Sequence, residues 1–422
     1  MTVIDDCIVA SPRRLLHDEA LAILENLAIP LTDREDVGIF DAAGRVCIED
    51  VRATRPIPAH TNAAVDGYAF AFADYDAESG AALPIAGRAA AGQASARLSS
   101  EAGALRIFTG AIMPAGLDTV AMQEDCLVLE RGGKRLIQIP GGLKKGANRR
   151  LAGEDLEAGS TVVQAGARLR AQDLAALAAC GRSSISCVRR PRVCIFSTGN
   201  EVIAPGGELA EGQVYDANGP MLAGLFRRAG LACTYGGILA DDRSAVRNAL
   251  KRAALSHDLI ITTGGASLGE EDHVVAVLRA EQVLQLWQLA IKPGRPMGAG
   301  KLGGCLTFAL PGNPVAVFVC TLLYVWPVLR RLSGEPWRAP EQLMLPAGFE
   351  IAKRKTGRRE FFRGRLEKNA GSDVVIKYER DGSGLISSLR EASGFIEISE
   401  EILSIRKGDP VSFIPFAQFG IF

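Results

Sequence analysis

The sequence predicts a multidomain α/β plus β protein with a doubly wound α/β domain at its centre. From Arg192, apolar strand-like segments alternate with helical segments over about 140 residues, as in doubly wound sheets. Before this region, from about Ile57 to Pro140, short strand-like segments alternate with Gly- and Pro-rich turns. After Gly334, alternating apolar segments separated by glycines are typical of a small β-barrel.

The same changes in pattern set the predicted domain boundaries. Helical spacing of apolar residues occurs near 13–29 and again near 171–180, on either side of the strand-like region, which we therefore interpret as an insertion. The predicted parts are an elongated helical domain (1–55 and 141–187), an inserted β-rich domain (56–140), the α/β domain (188–335) and a C-terminal β-barrel (336–422).

Composition narrows the class of protein. The 48 basic residues balance 48 acidic ones, which favours neither nucleic acid nor a membrane as a partner. Nine cysteines without a C-x-x-C pair, and an N-terminus without a signal-peptide pattern, indicate the cytoplasm. The most apolar run, Val315 to Leu329, is too short to span a bilayer and predicts a buried helix.

Polar loops follow four of the predicted strands in the α/β domain. Ligands of open α/β sheets bind beyond the carboxyl ends of the strands, so these loops are the candidate site. The loops are STGNE with Glu201, TTGGASLGEED with Gly264, Gly265 and Ser267, AIKPGRP with Lys292 and Arg295, and LPGNP, which opens a helix.

Each loop suits an anionic ligand for a physical reason. Gly264 and Gly265 can expose backbone N–H groups, and a helix N-terminus attracts anions. Lys292 and Arg295 supply positive charge on a loop stiffened by prolines. The acids at 201 and 270–272 could hold Mg²⁺, which favours carboxylates together with phosphate oxygens. Together the loops predict a site for a phosphorylated ligand with a divalent metal.

Simpler interpretations exist for every one of these features. A single TGG or PGN turn is often only a tight turn, and an acidic run is often a helix start favoured by the dipole. Asp241 and Asp242 suit the cap of the next helix better than a metal. In the inserted region, Asp66 lies in a Gly-containing turn before an apolar run, and Thr109 stands at a strand end. By chemistry alone, Asp66 is more typical of a turn than of catalysis.

Seven blocks in a fixed order carry a family resemblance. They are NAAVDGYA, FTGAIMPAGLDTVAMQED, GANRRLAGED, STGNEV with EGQVYDANG, TTGGASLGEED, WQLAIKPGRP and LPGNPVA. Together they resemble the MoeA / gephyrin E-domain family of molybdopterin molybdenumtransferases, from about residue 13 to the end of the chain. Each block alone is weak evidence for this family, and it is the occurrence of all of them in this order that is specific.

The resemblance implies a fold and an activity. The fold would be an elongated helical part, an inserted β-domain, a molybdopterin-binding α/β domain and a C-terminal β-barrel. The subunits would form a homodimer, with the active site in a cleft between subunits. The substrates would be adenylylated molybdopterin, supplied by an upstream adenylyltransferase, and molybdate. Molybdate would enter the dithiolene with Mg²⁺-dependent release of AMP.

The resemblance also implies roles for individual residues. Asp272 and Glu201 would be catalytic and hold the metal, with Asp241 as a weaker third ligand; Lys292 would be catalytic and bind molybdate. Asp66, as a further catalytic residue, and Thr109, as a substrate-binding residue, would come from the partner subunit. The remaining residues implied in substrate or molybdate binding are Gly264, Gly265, Ser267, Arg295, Pro296, Arg363, Ser383 and Ser387.

Four positions depart from the family pattern. Asn200 stands where Asp is usual, Gln288 and Arg295 where lysines are common, and Ala316 where a serine is frequent. These changes affect how the site would bind molybdate. Arginine presents a planar guanidinium instead of a compact ammonium, and alanine lacks a hydroxyl. They are the support for a second hypothesis, a non-catalytic molybdopterin-binding or scaffold protein. An unrelated nucleotide-binding enzyme is disfavoured because neither G-x-x-x-x-G-K-[ST] nor G-x-G-x-x-G occurs at a first strand-to-helix turn.

Overall fold

The computed structural model describes residues 14–93, 103–266, 272–369 and 371–420. The chain forms two compact units. One contains the segment up to Glu35, Gly44–Val46 and Cys187–Phe422, and the other contains Asp36–Ala43 and Cys47–Ser186. Each unit is described by itself below.

The helices, in chain order, are α1 His17–Leu27, α2 Ala171–Ala179, α3 Asn218–Arg228, α4 Arg243–Ala254, α5 His273–Ala280, α6 Pro314–Leu332 and α7 Ile386–Glu391. Within α6, Thr321–Val325 forms a π-helical turn between two α-helical segments. The predicted segments 13–29 and 171–180 correspond to α1 and α2, and both helices are slightly shorter than predicted.

The strands of the first half of the chain, up to the α/β domain, are β1 Arg34–Gly38, β2 Val51–Arg52, β3 Asn62–Ala63, β4 Gly67–Phe70, β5 Ala81–Ala89, β6 Ala104–Ile107, β7 Thr119–Met122, β8 Leu127–Arg131, β9 Lys134–Ile139, β10 Arg149–Arg150, β11 Thr161–Val163 and β12 Ser184–Val188. Those that follow are β13 Arg192–Thr198, β14 Val202–Ile203, β15 Val214–Tyr215, β16 Ala232–Leu239, β17 Leu259–Thr263, β18 Leu284–Trp287, β19 Ile291–Lys292, β20 Gly298–Leu302, β21 Cys305–Leu310, β22 Leu343–Pro346, β23 Arg359–Asn369, β24 Ser372–Lys377, β25 Gly394–Ile398 and β26 Pro410–Pro415.

The α/β domain of the first unit contains a six-stranded sheet in the order β16-β13-β17-β21-β20-β18. The four strands β16, β13, β17 and β21 are parallel, and β20 is antiparallel to both of its neighbours. The central strands are apolar and buried along almost their whole length, as expected for strands covered on both faces. The predicted α/β fold class is confirmed.

The segment between α5 and β20 forms two strands in two different sheets. β18 belongs to the α/β sheet, whereas β19 pairs in parallel with β23 of the C-terminal sheet. The sequence also gave no indication of β20, because GAGKL lacks the β-branched and aromatic residues that favour strands.

Helix α6 is the central element of the first unit. Its residues are buried nearly all round, and its core includes residues of the sheet, of α1 and of the C-terminal strands. Among the described residues, α6 is the helix that is long and apolar enough to cross a membrane. It has 19 residues, and 89% of its apolar stretch is buried inside the protein. The predicted buried helix is therefore found, although the segment is longer than the predicted one.

Helix α1 packs in this same core through Ala20 and Leu24, whereas we had grouped it with α2. At its first turn, His17 Nδ1 lies 2.7 Å from the hydroxyl of Tyr324 in the π-helical turn. Burial, with the nearby Arg359 guanidinium, lowers the pKa of His17 to about 4, so the ring is neutral at pH 7. The exact residue limits of the four predicted domains stay a prediction.

The C-terminal strands form a sheet in the order β19-β23-β25-β26-β22, with β24 on the other side of β23. A bridge between Ala347, which follows β22, and Val375 of β24 connects β22 to β24, and Gly348 N donates to Val375 O at 2.8 Å. Closure removes the open sheet edges, which agrees with the predicted β-barrel.

The second unit contains the predicted inserted β-rich domain, a six-stranded sheet in the order β7-β4-β6-β5-β9-β8. Its two apolar clusters lie around Leu105 and Ile107 and around Phe70 and Ile137. In the rest of this unit, the described residues contain α2 and short strand pairs such as β11 with β2.

We predict that Leu24→Ala lowers the free energy of unfolding of the first unit by about 2–5 kcal/mol, because it leaves a cavity in the shared core. All three tryptophans, Trp287, Trp326 and Trp337, belong to this unit, so their fluorescence during denaturation reports on it alone. Ile29→Ala is the control, since Ile29 is 60% exposed. Equal unfolding midpoints for the two variants would contradict the packing of α1 in this core.

Candidate functional site

The register of the α/β sheet brings the predicted loops to one edge. Ser197 pairs with Thr263, Thr263 pairs with Leu310, and Ala309 pairs with Gly298, which pairs in turn with Trp287. The carboxyl ends of β13, β17, β21 and β18 are therefore adjacent, since β18 runs parallel to β21. The loops bearing Glu201, Asp272, Lys292 and the LPGNP turn all start from this edge.

The loop after β13 is fixed by a reciprocal pair of hydrogen bonds. Asn200 N donates to the Asp241 carboxylate at 2.9 Å, and Asp241 N donates to the Asn200 side-chain oxygen at 3.1 Å. The carbonyl oxygen of Asp241 also lies 3.1 Å from His273 Nε2 at the start of α5. Asp241 thus connects two site loops, and it is Asp242 that caps α4, accepting from Ala245 N.

Gly264 and Gly265 are glycines for steric reasons. Both have positive φ, and a Cβ on Gly264 would lie 2.6 Å from Thr198 Oγ1. The Gly264 N–H, however, donates to Leu310 O at 3.0 Å. The prediction that this amide is exposed to a ligand is therefore wrong, because the sheet ladder uses it. Ser267 lies outside the described residues.

A buried carboxylate that the sequence analysis did not single out organises the loop before α3. Asp216 is 4% exposed and accepts hydrogen bonds from Ser197 Oγ, Tyr235 OH and two backbone amides, those of Asn218 and Gly219. Burial and the hydrogen bond to Asp216 raise the pKa of Tyr235 to about 12. The DAN turn of the EGQVYDANG block was the available indication, since Asx residues commonly accept from backbone amides two residues on.

Asn218 extends this network to the LPGNP turn. Its side-chain nitrogen donates to Gly312 O at 2.6 Å, while its side-chain oxygen is buried without a partner in the described chain. The turn then opens α6, whose Val315 N–H donates to Ser383 O of the C-terminal barrel at 3.0 Å. Ser383 therefore lies at the N-terminus of α6, next to the predicted site. Ala316 is buried there, at 3% exposure.

The KPGRP loop, which follows the carboxyl end of β18, carries two cations. Lys292 is half-buried on β19 and Arg295 is exposed, and neither forms an ion pair with a described residue. Gly294 is required because a Cβ there would lie 2.5 Å from Cys320 Sγ of α6. Pro296 follows, half-buried, before β20.

Gln288, one of the departures from the family pattern, is buried. It is 7% exposed, has φ 57°, and its carbonyl oxygen accepts from Leu15 N at 3.1 Å. Its side-chain oxygen is buried without a hydrogen-bond partner in the described part of the chain.

Arg363 has a different environment from the one expected of a molybdate ligand. It is 2% exposed, and it donates to Ser388 Oγ and to the carbonyl oxygens of Arg380 and Gly382. Burial lowers the pKa of its guanidinium. Arg363 thus orders the loop that carries Ser383, while Ser387 is exposed and lies 3.2 Å from the Tyr378 hydroxyl.

In the second unit, the structure brings Asp66 and Thr109 together. Thr109 donates to one carboxylate oxygen of Asp66 from its backbone N–H at 2.8 Å and from its hydroxyl at 2.7 Å. These two hydrogen bonds lower the pKa of Asp66 below its ordinary value. The pair is therefore a preorganised carboxylate on the surface of the inserted sheet.

The acids predicted to bind metal do not form a three-carboxylate centre. Within the described parts of the chain, no group of three His, Cys, Asp or Glu side chains could hold a metal ion. The Asp241 carboxylate already accepts the Asn200 amide. Glu201 and Asp272 remain at the sheet edge, and Mg²⁺ commonly takes one or two protein carboxylates together with substrate phosphate oxygens.

Three family models match successive parts of the chain. They describe the MoeA N-terminal region (domain I and II) at residues 15–181, a probable molybdopterin binding domain at 194–331 and the MoeA C-terminal region (domain IV) at 346–416. Fold and site loops thus define a protein of molybdenum cofactor biosynthesis with a molybdopterin-binding type of α/β domain.

Similar proteins cover nearly the whole chain. Molybdopterin molybdenumtransferase of Haemophilus influenzae is 33% identical over 93% of this chain and 96% of its own, and molybdopterin molybdenumtransferase 2 of Mycobacterium tuberculosis is 31% identical over the same shares. A crystal structure of the molybdopterin biosynthesis MoeA protein from Pyrococcus horikoshii matches with a TM-score of 0.82 and 29% identity, over 96% of this chain and 100% of that chain. The chain belongs to the molybdopterin molybdenumtransferase family, and it is a transferase.

We predict that Thr109→Val raises the pKa of Asp66 toward its ordinary value. The variant loses the hydroxyl donor and keeps the backbone one, so the carboxylate becomes protonated at a higher pH than in the unmodified protein. Carboxyl ¹³C NMR with labelled aspartate measures the shift. Asp76, whose pKa is lowered by bonds from Ser79, is the internal control. An unchanged Asp66 titration would show that the hydroxyl bond contributes nothing.

Proposed function

We propose that this transferase inserts molybdate into the dithiolene of adenylylated molybdopterin, with Mg²⁺-dependent release of AMP. The observation that carries the proposal is the sheet register, which starts the loops of Glu201, Asp272 and Lys292 from one edge. This is where α/β sheets bind ligands, and it combines carboxylates with cations.

Lys292, Arg295 and Pro296 are proposed to bind molybdate. Molybdate is a tetrahedral dianion, which requires cations and hydrogen-bond donors at short range. Neither cation is paired with a described acid, so both charges are available to a ligand. The Arg295 guanidinium offers two parallel N–H groups, where a lysine would offer a point charge. Ser383, on the loop that meets the N-terminus of α6, and Ser387, in α7, are proposed to add hydroxyl donors.

Asp272 and Glu201 are proposed to hold Mg²⁺ together with phosphate oxygens of the substrate. The metal would supply positive charge that stabilises the developing charge on the phosphate. Asp241 contacts other residues of the protein, because it holds the Glu201 loop and the start of α5 in place. We therefore assign Asp241 a positioning role, where the sequence had suggested a ligand.

The enzyme is further proposed to be a cytoplasmic homodimer that receives its substrate from an upstream adenylyltransferase. The second unit carries Asp66 and Thr109 as a ready hydrogen-bonded pair, which the partner subunit would present to the substrate. One departure from the family pattern supports catalysis over a scaffold role, since Asn200 keeps its side chain bonded to Asp241.

We predict that Asp272→Asn reduces AMP release from adenylylated molybdopterin by about 100-fold or more, because a neutral amide is a poor metal ligand. The assay follows AMP with and without molybdate and Mg²⁺. Asp242→Asn is the matched control, since it removes the same charge from a helix cap where Asn serves equally well. Unchanged turnover in the Asp272 variant would remove this residue from the chemistry. No AMP release by the unmodified protein under any condition would reject the transfer reaction itself.

We predict that Lys292→Ala raises the molybdate concentration for half-maximal turnover about tenfold or more, the effect expected for losing one charge-assisted hydrogen bond. Lys301→Ala is the matched control. Lys301 is likewise half-buried, but β20 carries it away from the carboxyl edge. Equal molybdate dependence in both variants would refute the assignment of Lys292.

A further inference from the structure

Two arginines stand side by side on the sheet of the second unit. Arg88 on β5 and Arg106 on β6 are register partners in a parallel pair, and Tyr68 on β4 is the partner of Arg106 on the other side. Register partners project to the same face of a sheet. The three side chains therefore form a row across three strands.

Aromatic rings hold both guanidinium groups in place. The central carbons of Arg88 and Arg106 each lie 4.7 Å from the centroid of the Phe108 ring, and Arg106 also lies 5.1 Å from the Tyr68 ring. Arg106 donates to Gly67 O and to the side-chain oxygen of Gln123, both of which are neutral. Such contacts order the cations without cancelling their charge.

Within the described parts of the chain, no ion pair neutralises these two charges. Arg88 is exposed, and neither arginine forms a salt bridge with a described acid. The acids near Arg106 are Asp66 and Glu124, and Asp66 already accepts two bonds from Thr109. Like charges at directly opposite positions of a sheet destabilise it, so this arrangement costs folding energy that a bound anion would recover.

We propose that Arg88 and Arg106 form a binding site for a phosphoryl group, and that in turnover it takes a phosphoryl group of the adenylylated substrate. The assignment to the adenylylated substrate rests on the proposed function and deepens it. It adds an anion site on the unit that carries Asp66 to the one proposed at Lys292 and Arg295. Two adjacent guanidinium groups offer paired N–H donors to phosphoryl oxygens, which is the geometry that arginine recognises best.

The experiment titrates AMP into the full-length protein by calorimetry, with inorganic phosphate and adenosine as separate probes. Arg88→Gln is the test variant, since the Arg88 side chain is exposed and its contact in the described chain is with Phe108. Arg135→Gln is the matched control, because Arg135 is an exposed arginine of the same sheet on β9. Arg88→Lys separates the guanidinium fork from charge alone.

We expect Arg88→Gln to weaken AMP binding about tenfold and Arg88→Lys to restore it only in part. Arg135→Gln should bind AMP as the unmodified protein does, inorganic phosphate should compete with AMP, and adenosine should not. In turnover, Arg88→Gln should raise KM for the adenylylated substrate about tenfold and leave kcat within about twofold.

Equal AMP affinity in Arg88→Gln and the unmodified protein would overturn the site. So would equal weakening by Arg88→Gln and Arg135→Gln, since that would reflect net charge alone. If the unmodified protein releases no AMP from the adenylylated substrate, the proposed function fails, while the AMP titration still decides for or against the arginine pair.

Discussion

The backbone hydrogen-bond register of the α/β sheet is the constraint on which the rest of the first unit depends. Residues far apart in the chain become neighbours because Ser197, Thr263 and Leu310 are paired at the ends of three parallel strands. Buried polar groups then fix the loops that leave this edge. Asp216 holds the start of α3, and Asp241 links the Asn200 turn to α5. The exposed cations and carboxylates are thus carried by backbone that is already ordered, which lowers the entropic cost of binding an anion.

Much of this could be predicted from the sequence because parallel strands and their following loops have strong local patterns. The fold class, the buried helix and the family were recognised from apolar runs and ordered motifs. Strand β20 was not predicted, since Gly298–Leu302 is a strand only through its pairing with β21. The hydrogen-bond partners of Arg363 and of the Gly264 amide were not predicted, for a related reason. Whether a guanidinium or an amide N–H is free depends on partners distant in sequence, here Ser388 and Leu310.

Cations of this protein divide into two physical kinds. Arg363 is buried and satisfied by carbonyl and hydroxyl oxygens, so it supports a loop. Lys292 and Arg295 lack described ion-pair partners, as does Arg88 on the inserted sheet. With 48 basic and 48 acidic residues overall, local pairing decides where an anion finds positive potential, because the net charge provides none.

The apolar character of α6 has a consequence for how the chain is made. Part of the surface that covers this helix comes from later segments, among them Phe361, Phe395 and Phe416, with Phe318 of the helix packed edge-on against the last two. During synthesis these residues leave the ribosome after the helix does. The apolar surface of α6 therefore stays exposed to solvent until the barrel has been synthesised. In that interval the nascent chain is prone to aggregation and to binding by chaperones.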